Sequence, residues 1–183
     1  MNIIDELYPL VEEAISSISD WDIDDIYVIS FFIYDYEDDP RYPTLRIGYN
    51  TISRWRSTIK DASDSDEAKW NYAFWLQNKI GHIGMPDKTT ADIITEWIKG
   101  IGLDYTDEEV LLMNSEDITK EFVNLCIEMA KRLHKEKSII RKFQKSIPII
   151  IHELEYYFQI ALQTEQANPK GVADEFTKWV TDP

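Results

Sequence analysis

The stretch that most constrains this chain is Ile26-Tyr27-Val28-Ile29-Ser30-Phe31-Phe32-Ile33-Tyr34, in which β-branched and aromatic side chains occupy both alternation faces. Successive side chains of a strand point to opposite sides, so such a run is stable only when both faces are covered. It predicts a central strand with other elements packed above and below it. Asp35 to Pro43 is turn material with two prolines and four acids, and Thr44-Leu45-Arg46-Ile47-Gly48-Tyr49 then alternates with Leu45, Ile47 and Tyr49 on one face. The pair reads as an antiparallel hairpin. Its nine-residue connection is longer than a structural turn needs, which makes it a candidate functional loop.

Helices are expected around this hairpin. Ile3, Ile4, Leu7, Leu10, Val11, Ala14, Ile15 and Ile18 recur at helical spacing, with Pro9 as a bend or a restart. Asn50 or Thr51 caps a short helix through Lys60, and Thr89 or Thr90 opens one through Lys99, stopped by Gly100 and Gly102. Ser115 caps a long helix whose core face carries Ile118, Phe122, Leu125, Met129 and Leu133. Further helices are expected over Ser138 to Lys145, Glu155 to Gln166 and Gly171 to Val180, the last two parted by Asn168-Pro169. Pro148-Ile149-Ile150-Ile151 reads as a short buried strand. Lys69 to Leu76 fits both periods; the alternation of Trp70, Tyr72, Phe74 and Leu76 favours a strand. The predicted class is α+β: a small antiparallel sheet of three or four strands packed against several helices, with a helical C-terminal half. No repeat, low-complexity tract or long linker divides the chain, so residues 1–183 read as one domain. Ile29, Phe31, Trp70 and Phe74 are its expected core.

Charge is distributed unevenly. Of a formal −15, the first fifty residues hold 12 acids against 2 bases. Such a field disfavours nucleic acid and anionic membrane and speeds encounter with a cationic partner. One cysteine, Cys126, excludes an internal disulfide and a cysteine-based zinc site. The start, Met1-Asn2-Ile3-Ile4-Asp5-Glu6, lacks a basic segment ahead of an apolar one, and no apolar run reaches the ~20 residues that span a bilayer. A cytoplasmic location is expected.

Catalytic and cofactor motifs fail on inspection. His152-Glu153-Leu154-Glu155-Tyr156 begins like a zinc-protease helix, but tyrosine stands where the second imidazole is required. Asp35, Glu37, Asp38 and Asp39 lack the glycine and closing glutamate of a calcium loop, since Pro40 and Arg46 occupy those places. Gly100-Ile101-Gly102 and the Gly81/Gly84 pair lack the rest of a phosphate cradle, so no cofactor is expected. Lys131, Arg132, Lys135, Lys137, Arg141, Lys142 and Lys145 form a basic run that reads as a solvated helix face. What remains is acid interleaved with aromatics. Asp20, Trp21, Asp22, Asp24 and Asp25 precede the central strand, and Tyr34, Asp35, Tyr36, Glu37, Asp38, Asp39 and Tyr42 follow it. Read as one rim, these twelve residues form a candidate partner-binding surface, because Tyr and Trp are the side chains that anchor protein contacts.

Size, charge and the aromatic-acidic segments Ile26–Tyr36 and Lys69–Leu76, together with Glu153-Leu154-Glu155-Tyr156-Tyr157 and Ala167-Asn168-Pro169, make the chain resemble the immunity proteins of bacterial polymorphic and contact-dependent toxin systems. The resemblance implies a non-enzymatic cytoplasmic protein that binds and blocks a cognate toxin domain, such as a basic nuclease. It assigns no residue a role. The alternative is a small hydrolase-like enzyme working through His152, Glu153 and Glu155.

Overall fold

The computed structural model describes residues 2–19, 23–112 and 116–182, so Asp20, Trp21, Asp22 and the expected Ser115 cap lie outside the described residues. Among the described residues the fold is α+β, a four-stranded mixed sheet with nine helices. The elements are α1 (Ile3–Ser16), β1 (Ile26–Asp35), β2 (Pro43–Thr51), α2 (Ile52–Thr58), α3 (Ser65–Trp70), β3 (Gly81–Ile83), α4 (Lys88–Gly100), α5 (Asp107–Leu112), α6 (Glu116–Lys135), α7 (Ser138–Phe143), β4 (Ile149–His152), α8 (Phe158–Ala167) and α9 (Asp174–Thr181).

The strand order is β3-β2-β1-β4. β1 pairs antiparallel with β2, setting Ile33 opposite Leu45 and Phe31 opposite Ile47, and it pairs parallel with β4 through Ile29 opposite Ile149. The sheet is therefore mixed rather than wholly antiparallel as expected. The two faces of β1 feed two different cores. Ile29, Phe31 and Ile33 join the larger one, built with α1, α4, α6 and α7. Val28 and Phe32 join a smaller aromatic one with Trp70, Tyr72, Trp75, Ile160 and Phe176. β4 divides in the same way, Ile149 and Ile151 against Ile150. A strand apolar on both faces is thus covered on both, as its sequence requires.

α1 runs through Pro9, since burial of Leu7, Tyr8, Val11, Ala14 and Ile15 offsets the backbone bond that proline forgoes. Asn2 accepts from Ile4 N at its start, and Thr51 accepts from Arg54 N at the start of α2. α4 is capped by Asp87, two or three residues earlier than expected; Thr90 instead turns inward and accepts from Gly84 N at 2.9 Å. All five residues of the expected α6 stripe are buried.

The strand expected over 69–76 does not form. Asp64 accepts from the backbone of Asp66 and Glu67 and starts α3, and Asn71 accepts from Ala73 N and starts a single 3₁₀ turn. These capping side chains satisfy the backbone locally, and the alternating aromatics then reach one core from a helix and a turn. Trp70, Tyr72 and Trp75 are buried, while Phe74, expected in the core, is only half-buried. β3 was not expected. Its Gly81 lies where an added Cβ would stand 2.7 Å from Ala14 Cβ, so glycine lets α1 close onto the sheet edge.

β4 would be a bare edge strand, but α8 closes it. Asn168 accepts from Ile149 N and donates to Ile149 O, both at 2.8 Å, as a neighbouring strand would. Gln163 donates to Ile151 O and Thr164 accepts from Ile151 N. Edges covered in this way do not recruit other chains. Asn168→Ala leaves both Ile149 groups unpaired in the interior and is expected to cost about 2 kcal/mol or more, read as a lowered urea midpoint. An unchanged midpoint contradicts the edge-closing role.

Candidate functional site

Among the described residues the expected rim is divided between the two ends of β1. Asp24 and Asp25 precede β1, Asp35 ends it, and ten residues of strand hold the two clusters about 30 Å apart. Asp25 is engaged locally, accepting from Ser53 N at 3.1 Å, and the Asp24 carbonyl accepts from Lys145. The loop after β1 is a closed structure. Tyr36 N donates to Tyr42 O, Asp39 N to Tyr36 O and Tyr42 N to Asp39 O. Arg41 donates to both Asp39 oxygens and also to Asp107, which holds the Asp39 carboxyl below its usual range. At the tip Glu37 and Asp38 take φ of 56° and 58°, a conformation that costs roughly 1–2 kcal/mol per non-glycine residue. The loop is thus braced at its base by Arg41 and strained at its exposed acidic tip. Tyr34 stacks on Phe32 at 5.4 Å and 24°, and Tyr42 remains exposed beside Arg41.

The structure brings a second segment to this end of the sheet. β4 runs parallel to β1, so Glu153, Leu154, Glu155 and Tyr157 emerge beside Asp35 and enclose with it a cleft of ≈ 330 Å³. Asp35 Oδ1 is buried there without a hydrogen-bond partner. Burial, then repulsion from Glu153, Asp39 and Asp38, raises the Asp35 carboxyl to about 6, and burial also raises Glu153. Next to the acids stand the most exposed large apolar side chains of the described residues, Leu154 at 75% and Phe158 at 63%. Leu154 lines the cleft itself, and Phe158 follows four residues on at the start of α8. A larger groove of ≈ 580 Å³ lies between α1 and α4 over Ile3, Ile93 and Trp97, but Glu96 on its rim is paired with Lys99 and, among the described residues, no unpartnered polar atom is buried in it.

His152 does not belong to this cleft. It is fully buried in the aromatic core, with ring centroids of Tyr72, Phe32, Trp75 and Tyr156 between 4.8 and 5.7 Å away. Nδ1 faces the Glu153 carbonyl at 2.9 Å and must carry the proton, so Nε2 accepts from Ser30 Oγ at 2.8 Å. A serine donating to histidine is how hydrolases prepare a nucleophile. Here Ser30 is 3% exposed and His152 0%, both under aromatic cover, and neither nitrogen of His152 bonds a carboxylate. The pair satisfies polar groups in a core. His152 is thereby separated from Glu153 and Glu155, because the imidazole ends β4 inside the aromatic core while the two carboxylates, beyond the end of the strand, line the cleft.

Most of the basic run is engaged within the fold. Arg132 pairs with Asp5, Arg141 with Glu12, Lys142 donates to Ser16 O and Lys131 pairs with Glu128. Most of these contacts tie α6 and α7 to α1. Among the described residues no group of three or more His, Cys, Asp or Glu could hold a metal ion, and no helix is long and apolar enough to cross a membrane. Cys126 is buried, and burial pushes its thiol up.

Compared with protein-family models, curated proteins and solved structures, the chain matches none.

The Asp35 carboxylate has a measurable consequence for stability. Its folded value lies above the unfolded one, so its ionised form opposes folding at neutral pH. Asp35→Asn is expected to stabilise the protein at pH 7 by roughly 1 kcal/mol, after allowance for the side chain's partial exposure to water. A urea titration showing loss of stability at pH 7 contradicts that placement.

Proposed function

We propose that this protein is an inhibitor of the immunity type, which binds a cationic toxin domain, such as a basic nuclease, through the end of the sheet where β1 and β4 finish. The observation that carries the reading is the meeting of uncompensated acids with exposed apolar side chains. Asp35, Glu153 and Glu155 line one cleft with Leu154 and Tyr157, the exposed acids Glu37 and Asp38 follow Asp35 on the adjoining loop, and the cleft itself is lined by no lysine or arginine. A nuclease is positive where it holds phosphate, so an acidic surface competes for the same ground. The acids steer the encounter and the apolar side chains hold the complex once water is excluded. The strained loop tip and the unpaired Asp35 oxygen fit a surface that keeps its free energy for a partner.

The test is co-expression with the product of the neighbouring reading frame, which this reading requires to carry a toxin domain. Restored growth and a co-purifying complex are expected. Failure of the wild-type protein both to rescue and to bind removes the inhibitor reading.

A further inference from the structure

The geometry points to the cleft between Asp35 and the Glu153–Tyr157 segment as a receptor for a single arginine side chain, which the partner protein projects into it. This rests on the inhibitor reading above and names the chemistry of its central contact.

Acids approach the cleft from two elements, Asp35 from the end of β1 and Glu153 and Glu155 from the segment after β4. The charged groups that act on Asp35 are Glu153, Asp38 and Asp39, all of one sign. Of the cations at this end, Arg41 is paired with Asp39 and Asp107, while Arg46 donates to the Gln77 carbonyl and acts on Tyr34 without lining the cleft itself. Asp35 Oδ1 is closed off without a donor while the rest of its half-buried side chain lines the cleft, so a cation seated there offsets the repulsion and poor solvation this carboxylate bears.

The walls select among cations. Phe32, Tyr34 and Tyr157 make the cleft partly aromatic, and Leu154 supplies an apolar shoulder. A guanidinium is planar, stacks on rings and is more weakly hydrated than an ammonium, so it enters a half-apolar cleft at lower cost. Its five donors in a fixed fork can serve carboxylates on two sides, whereas an ammonium acts as a point charge. The aliphatic stem of arginine then lies along Leu154.

The test needs no toxin at first. Nitrogen-15-labelled protein is titrated with N-acetyl-arginine amide, with N-acetyl-lysine amide, and with the neutral isostere N-acetyl-citrulline amide. The arginine probe is expected to shift the amides of Tyr34, Asp35, Glu153 and Leu154 saturably at roughly millimolar concentration, as suits a ligand of this size. The lysine probe is expected to bind about fivefold more weakly for want of the planar fork. Citrulline should not saturate. Asp35→Asn, checked for folding by its urea midpoint, is expected to weaken arginine binding about tenfold by removing a charge-assisted bond. Equal binding of citrulline, equal binding of lysine, shifts confined to another surface, or unchanged binding by Asp35→Asn each overturns the proposal. The neighbouring toxin domain then separates the two readings. A toxin that binds the wild type and Asp35→Asn equally well removes the arginine receptor and leaves the inhibitor. An arginine probe that binds where the toxin does not removes the inhibitor and leaves the receptor.

Discussion

Replacing Phe31 by alanine is expected to destabilise the protein by ~3–5 kcal/mol. Phe31 is fully buried on the face of β1 that meets α1 and α6, opposite Ile47 on β2 and Ile151 on β4. Both neighbouring strands are hydrogen-bonded along its length, so the sheet cannot collapse into the space the ring leaves. Domains of ordinary size have about 5–15 kcal/mol in all, so the variant should sit near its unfolding threshold at 37 °C. Chemical denaturation reads this directly. A loss below about 1 kcal/mol would mean that the ring is not packed as described.

The second large effect is acid destabilisation through His152. Its folded value is lowered from 6.5 to about 4, first by burial, with the Glu153 carbonyl opposing. Between those values the unfolded chain binds a proton that the folded chain refuses. Stability attributable to His152 is therefore complete above pH 6.5 and is lost as pH falls toward 4, by about 3 kcal/mol. Asp35 and Glu153 act in the opposite sense over much of the same window, because their folded values are raised and protonation relieves them. The wild-type profile is accordingly flattened. In Asp35→Asn the loss from pH 6.5 to pH 4 should steepen, and adding His152→Gln should remove most of it. Equal pH profiles for the single and double variants contradict a neutral, enclosed His152.

Much of the fold is legible in sequence because it follows from periodicity. The two-faced β1, the Ile118-to-Leu133 stripe of α6 and the apolar triplet of β4 each carry one unambiguous pattern. Lys69 to Leu76 carries two, and its outcome was set by Asp64 and Asn71, capping residues that an alternation count ignores. β3 is three residues long and glycine-led, too short for a period to show. Partner choice is less legible still. That β4 lies parallel to β1 depends on long-range packing, and only that pairing brings Glu153 and Glu155 to Asp35. The acidic loop was visible in sequence, but its other wall was not. Sequence also joined Asp24 and Asp25 to this surface through their shared composition, where a ten-residue strand sets them at its far end.

Steering by the acids of this one end is tested most directly by association kinetics with the neighbouring toxin domain at two ionic strengths. Asp39 is held by Arg41, so the exposed tip acids Glu37 and Asp38 are the pair to reverse to lysine. Each exposed charge contributes little alone, but two reversals together should slow association about tenfold at low salt. The deficit should shrink toward unity as the Debye length falls below ~8 Å, with dissociation nearly unchanged. Asp24→Lys, at the other end of β1, should leave both rates as they were. Unchanged association for the double reversal at both salts, or an equal effect from Asp24→Lys, would contradict the account.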